Sequence, residues 1–193
     1  MTHTGEELID HVKIEKAVDL IIQAINEDPR REGLAGTPQR VAQMYTDFFS
    51  GLDENPAEVL STSFDESHKE MVVLKDIQFF SICEHHLLPF YGTASIGYLP
   101  NGRIVGVSKL ARALDILAKR PQIQERLTKQ LAESIFNAIH PSGVTTIISA
   151  DHMCMSLRGV KKPGTKVVTS VNLGIFKTQK VVRDEFHALL GAI

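Results

Sequence analysis

Residues 121–140, PQIQERLTKQLAESIFNAIH, place Ile123, Leu127, Leu131, Ile135 and Ile139 at i, i+4 spacing. On a helix that spacing stacks five apolar side chains in one stripe, and the stripe has to be covered by another apolar layer. The chain supplies one on either side. MVVLKDIQFFSI (71–82), YGTASIGYLPNGRIVGVS (91–108), VTTIISA (144–150) and TKVVTSVNLGIF (165–176) are rich in β-branched and aromatic residues and read as strands. Pro100-Asn101-Gly102 divides the second run into two strands with a hairpin signal. SKLARALDILAKR (108–120) reads as a short helix capped by Ser108 and stopped before Pro121, and KVVRDEFHALLG (180–191) as a closing helix. Hairpin-linked strands interrupted by a consecutive helix pair imply an α+β fold, an antiparallel sheet with the helix pair on one face.

Two further helices are expected upstream. Residues 12–26 carry Ile14, Ala17, Val18, Ile21, Ile22 and Ile25 at helical spacing. TPQRVAQMYTDFFSG (37–51) opens with Thr37 as a cap and Pro38 in the first turn, and Gly51 suits its stop. Residues 52–68, with Pro56 and several acids, read as a loop or linker. The expected division is an N-terminal helical region and linker, 1–68, and a catalytic domain, 69–193.

At 193 residues the chain can bury one substantial core. Its formal charge is −2, so there is no global excess of cations for sequence-independent binding to nucleic acid. No run approaches the roughly 18 apolar residues of a membrane span. The first sixteen residues have acids and no apolar core of a secretory signal, so the expected location is cytoplasmic. There, Cys83 and Cys154 are expected as thiols or metal ligands rather than a disulfide.

The chemistry concentrates in SICEHHLLPF (81–90) and DHMCMSLRG (151–159). Cys83 and His86 are three apart, which brings side chains together on a tight turn. His152 and Cys154 are two apart and share a face if that segment is extended. Only the fold can join the two clusters, and together they offer Cys83, His85 or His86, His152 and Cys154 as ligands. Four protein ligands would make a closed structural zinc; three would leave a position for water. Met153 and Met155 flank Cys154 and are expected in the core.

Around this cluster are cations and one acid. Ser108, Lys109 and Arg112 open a predicted helix, where free amide N–H groups favour an anion. Arg158 follows Cys154 closely, while Lys161 and Lys162 read better as a solvated face. Gln124 and Glu125 begin the long helix on its polar side, and a carboxylate there can accept two N–H bonds from a base edge. His3, His11, His68, His140 and His187 have no companions at ligand spacing and read as surface or capping residues.

SICEHHLLPF, GVSKLAR, RPQIQERLT and DHMCMSLRGVKKPG, in this order and spacing, resemble the signature segments of GTP cyclohydrolase I, with GTPQRVAQMY and FFSGL resembling its N-terminal helical region. The likeness runs from about Leu34 to Thr169. It implies the tunnelling or T-fold, and a zinc-dependent hydrolase that turns GTP and water into formate and 7,8-dihydroneopterin triphosphate, the entry to tetrahydrofolate and pterin synthesis. It implies a homodecamer of two pentameric rings with sites between subunits. Carried onto matching positions, it makes Cys83, His86 and Cys154 the Zn2+ ligands and His85 and His152 the acid/base pair. Gln124 and Glu125 would hold guanine; Ser108, Lys109, Arg112 and Arg158 would hold ribose and triphosphate, with Arg40 reaching in from a neighbouring subunit. Val107 and Asp151 stand where the family usually has leucine and glutamate.

Three other readings compete. A zinc base deaminase would need H-x-E followed by P-C-x-x-C, and no C-x-x-C is present. Another T-fold enzyme, such as a nitrile reductase relative, would not carry both zinc segments. A zinc-stabilised assembly or nucleic-acid module would need a closed four-ligand site.

Overall fold

The computed structural model describes residues 9–191, and His3 lies outside them. It opens with α1 (His11–Ala24), α2 (Thr37–Phe48), a short α3 (Pro56–Leu60) and β1 (Ser63–Asp65). There follow β2 (Val72–Cys83), β3 (Pro89–Leu99), β4 (Arg103–Val105), α4 (Val107–Ala118), β5 (Pro121–Gln122) and α5 (Gln124–Ile139). β6 (Gly143–His152), the single turn α6 (Met153–Ser156), β7 (Lys166–Gly174), the single turn α7 (Ile175–Thr178) and α8 (Lys180–Gly191) complete the chain. The main sheet has the order β5-β2-β3-β6-β7 and is antiparallel apart from the short β2–β5 pairing. The α+β architecture expected from the sequence is the one observed.

The long amphipathic stripe meets its layer as periodicity requires. Leu127, Leu131, Ile135 and Ile139 of α5 are buried with Leu110, Leu114 and Leu117 of α4 against Phe79, Phe90, Ile96, Tyr98, Val144 and Ile148 of the sheet. Each such side chain contributes about 1.5–3 kcal/mol by leaving water. Ile123, the first member of the stripe, is the N-cap of α5 and only half-buried. A smaller cluster, Phe176, Val182 and Phe186, fastens the C-terminal helices to Val73, Leu99 and Ile147.

Four local expectations give way. The turn at Pro100-Asn101-Gly102 is present, with Gly102 at φ +80°, yet β3 and β4 do not pair. Both edges of β3 are already taken by β2 and β6, so β4 pairs instead with β1, Phe64 opposite Ile104. Residues 52–68 are not a bare loop. Asn55 caps α3 through Oδ1, which accepts from Ala57 N at 3.0 Å, and Leu60 is completely buried beneath it. Caps fall one or two residues earlier than expected, at Gly36 for α2 and Gly106 for α4, so Thr37 and Ser108 lie inside their first turns. In α1 only Ile22 is buried; Val12, Leu20, Ile21 and Ile25 are each 60% exposed or more, because α2 covers just one side of it.

Candidate functional site

Alternation along the strands aims the two cluster segments at the same place. Cys83 follows Phe79 and Ser81 on one face of β2, and His152 follows Ile148 and Ala150 on one face of β6. Helices α4 and α5 cover that face. β3 lies between the two strands and levels their ends, with Ile82 opposite Pro89 and Phe90 opposite His152.

Past Cys83 the backbone doubles back. The Cys83 carbonyl accepts from Leu87 N at 2.9 Å, Cys83 N donates to Leu88 O at 2.9 Å, and Leu87 takes φ +51°. This turn parts the adjacent histidines: the rings of His85 and His86 stand 6.4 Å apart at 85°. On the other side the strand ends at His152, and Met153–Ser156 form a helical turn rather than the extended run expected. His152 and Cys154 therefore do not share a strand face, and Met153 and Met155 are half-buried rather than core residues. The turn carries Cys154 toward the CEHH loop instead. The ligand atoms of Cys83, His86 and Cys154 lie within 4.8 Å of one another.

That triangle suits a metal by geometry and by chemistry. A tetrahedral zinc with ordinary Zn–S and Zn–N bonds holds its ligand atoms roughly 3.5–3.8 Å apart, within small side-chain rotations of this arrangement. Two sulfurs and one imidazole form a soft to borderline donor set. Burial and the neighbouring Cys83 sulfur push the Cys154 thiol up, with Arg158 opposing; a cation at the triangle would reverse that preference. Arg158 is close by: Nη1 lies 3.0 Å from His86 Nε2, and since a guanidinium can only donate, Nε2 accepts.

Of the other two histidines, His85 stands beside Cys83 and His152 ends the strand two residues before Cys154. His85 is exposed, its Nδ1 3.9 Å from Cys83 Sγ. His152 stacks flat on Phe90, ring centroids 4.7 Å apart and planes 4° from parallel. Burial pushes its imidazole below the ordinary value, against the pull of the nearby Glu125 and Asp151 charges. Its Nε2 lies 2.8 Å from Oε1 of Gln124.

Gln124 is not on the polar side of α5. It is 1% exposed, and its Nε2 donates to the carbonyls of Ile148 (3.0 Å) and Val167 (2.9 Å), with Thr169 Oγ1 at 3.1 Å. Glu125, the next residue, faces solvent. One contact had no forerunner in the sequence reading. Arg126 forks onto Glu84, Nη1 to Oε2 at 2.5 Å and Nη2 to Oε1 at 3.0 Å, and ties the CEHH loop to the start of α5. This guanidinium holds the Glu84 carboxyl below its ordinary value. The signal for it was only two opposite charges in two segments already suspected of meeting.

Ser108, Lys109 and Arg112 are elsewhere. The C-terminal end of α4 sits against the cluster end of β2, where Ser81 Oγ donates to Ala118 O at 2.6 Å. Its N-terminal end lies by Tyr98, whose Oη is 3.4 Å from Val105 N, and Tyr98 pairs with Val72 at the far end of β2 from Cys83. Ser108 is thus about 15 Å along the helix from Ala118. The chain gathers Cys83, His85, His86, Gln124, Glu125, His152, Cys154 and Arg158, and holds the three α4 residues at the other end of the sheet. Arg40 is also apart, its guanidinium folded onto Thr37 Oγ1 at 3.0 Å.

The family model for GTP cyclohydrolase I matches residues 14–191. A GTP cyclohydrolase 1 of Pelotomaculum thermopropionicum is 55% identical over 95% of this chain and 98% of its own length. That of Carboxydothermus hydrogenoformans is 54% identical over 95% and 96%, and that of Streptococcus agalactiae serotype V is 51% identical over 92% and 96%. Among solved structures, the apo archaeosine synthase QueF-Like aligns with TM-score 0.44 and 21% identity, covering 54% of this chain and 93% of that one.

Proposed function

The chain belongs to the GTP cyclohydrolase I family and is an enzyme of that kind with its T-fold, and from this premise we propose how its residues divide the reaction. Cys83, His86 and Cys154 would hold Zn2+, three protein ligands being the number that a catalytic rather than a structural zinc site uses. Bound there, zinc supplies Lewis acidity and a water acidic enough to act as nucleophile near neutral pH. The proximity of the three ligand atoms is the observation that carries the reading, with His152 two residues before the ligand Cys154.

Opening the imidazole ring of guanine requires addition at C8 and a proton at N7. His152, half-buried and held on two sides by Phe90 and Gln124, gives that proton. His85, exposed on the neighbouring loop, handles a later proton transfer as N9 is released or the ribose opens. Guanine presents two donors, N1–H and N2–H, and one acceptor, O6. The Glu125 carboxylate takes the donors. Gln124 has its carboxamide committed to the protein, so what it offers the base is its backbone N–H in the first turn of α5, whose N-cap Ile123 provides no side-chain acceptor.

Ser108, Lys109, Arg112 and Arg158 hold ribose and triphosphate. The triphosphate is carried through into 7,8-dihydroneopterin triphosphate while formate leaves, so these residues act as a positioning clamp. Because three of them lie across the sheet from Cys83, a second copy of the chain has to bring them, together with Arg40. The homodecamer of two pentameric rings supplies that copy. Exposed apolar side chains on α1 and, on the open face of the sheet, Phe80, Tyr91 and Val168 are surface that such an assembly would cover. Residues 69–193 carry the catalytic machinery and 1–68 the helical region. Among the described residues no helix is long and apolar enough to cross a membrane; we place the enzyme in the cytoplasm, at the first step of tetrahydrofolate and pterin synthesis, with no nucleic-acid partner.

Zinc-loaded protein incubated with GTP should release formate and develop a pterin chromophore. Absence of both, with zinc confirmed in the sample, would defeat the reading. Glu125→Gln should weaken GTP relative to purine nucleotides with other base edges.

A further inference from the structure

We propose that the Gln124 side chain is a positioning residue for His152: it fixes the ring's proton on Nε2 and so leaves Nδ1 as the nitrogen through which His152 exchanges protons with a bound nucleotide. This rests on His152 being the proton-transfer group.

The argument is one of donors and acceptors. Backbone carbonyls can only accept, and the same terminal atom of Gln124 touches two of them, Ile148 O and Val167 O. That atom is therefore the NH2 group, and the atom facing His152 at 2.8 Å is the carbonyl oxygen. A carbonyl oxygen accepts, so His152 Nε2 must carry a hydrogen to give it. In a neutral imidazole one nitrogen is a donor and the other an acceptor, and the partner of one decides the role of the other. In the neutral ring Nδ1 is left with the lone pair; in the imidazolium Nδ1 carries the proton that His152 gives up, while Nε2 keeps its hydrogen in both forms.

The carboxamide is in turn locked. Thr128 Oγ1 lies 2.7 Å from the Gln124 backbone carbonyl and spends its hydrogen there. Thr169 Oγ1, 2.6 Å from Thr128 Oγ1, must then donate to it, which leaves the Thr169 oxygen to accept from Gln124 Nε2. Thr128 is wholly buried and Gln124 nearly so. The network binds the first turns of α5 to β6 and β7, while Phe90 stacked on the imidazole sets the ring plane. Reversing the Gln124 carboxamide would turn its oxygen onto the Ile148 and Val167 carbonyl oxygens and take its NH2 group away from them, and a buried polar group without a partner costs about 1–3 kcal/mol. Orientation of a catalytic ring by a buried acceptor is a recurrent need, because an imidazole that is free to turn presents the wrong nitrogen part of the time.

The test begins on the unmodified, zinc-loaded enzyme. With histidine 15N-labelled and His152 assigned by comparison with His152→Asn, the long-range 15N–1H pattern should show Nε2 protonated and Nδ1 bare. A neutral ring protonated on Nδ1 in place of Nε2 would overturn the proposal outright, whatever the enzyme's activity. The same measurement on Gln124→Met should show a mixture of tautomers. That variant should lose about tenfold or more in kcat, part of what a general acid contributes, with KM for GTP and zinc content within about twofold of the parent. A raised KM at unchanged kcat would make the carboxamide a guanine reader and defeat the proposal. Thr169→Val disturbs the same network but leaves Gln124 its two carbonyls, so it should keep the tautomer and most of the kcat. If it loses as much kcat as Gln124→Met, the network's role is structural only. Should Gln124→Met not fold, the tautomer of the unmodified enzyme still decides.

Discussion

The two ends of the sheet are built on opposite plans. At the Cys83 end, the CEHH loop, the end of β6 with the turn after it and the start of α5 come together, and the side chains of His86, Gln124, His152 and Arg158 each have a partner in their own chain. At the Tyr98 end, Ser108, Lys109 and Arg112 sit on the first two turns of α4, their side chains with no hydrogen-bonded partner among the described residues. On the proposed reading the first plan serves as a reaction centre, and the second offers a hydroxyl and two cations to an anion. Both ends lie on one helix-covered sheet and are joined by α4, so the separation is a property of the fold. It follows that chemistry and phosphate binding should be separable by mutation, and that they should belong to different chains within one site.

The largest expected effect is at the triangle. Cys154→Ser should bring both bound zinc and turnover to background, measured by metal analysis and formate release; retention of stoichiometric zinc would remove Cys154 from the ligand set. His152→Ala should keep the metal and cost about 10²- to 10⁴-fold in kcat, and a near-normal rate would end its role as acid. At the other end, Lys109→Ala should retain zinc and kcat while raising KM for GTP about tenfold, the loss of a charged hydrogen bond worth ~1.5 kcal/mol. Coexpressed Lys109→Ala and Cys154→Ser chains should show a fraction of the activity with a normal KM, which neither variant shows alone. Mixed assemblies with no such recovery would place both halves of the site on one chain. The smallest effect is expected for Glu84→Gln, which loosens the fork with Arg126. Zinc affinity should fall less than about tenfold, with the melting temperature unmoved.

How much of this was readable beforehand follows from the range of each interaction. The buried stripe of α5 is a matter of 3.6-residue spacing, and Leu127, Leu131, Ile135 and Ile139 are buried as read. The pairing of CEHH with DHMC could be suspected from residue types, but which histidine joined Cys83 depended on the turn at Leu87. Gln124 was misplaced on the polar side although its position, three before Leu127 and seven before Leu131, puts it on the apolar stripe; its polarity outweighed its spacing. The β1–β4 pairing was invisible because it depends on which edges of β3 remain free, a fact of the whole sheet. The location of Ser108 relative to Cys83 was hidden for the same reason. Short-range periodicity speaks for one element at a time, while occupancy of an edge is decided by all of them.

Helix α4 has one further consequence. Its C-terminal carbonyls are fastened to Ser81 and Gln122 (Ala118 O and Leu117 O), and its first two turns present the cations. It therefore fixes the distance between the metal triangle and the proposed phosphate-binding residues of the same chain. Lengthening it by four residues would advance Lys109 by about 6 Å and turn it by about 40°, leaving the metal triangle as it is. If the cations of one chain serve the site of another, as proposed, the number of turns in α4 sets how far apart neighbouring chains must hold their metal triangles, not the span of a single nucleotide.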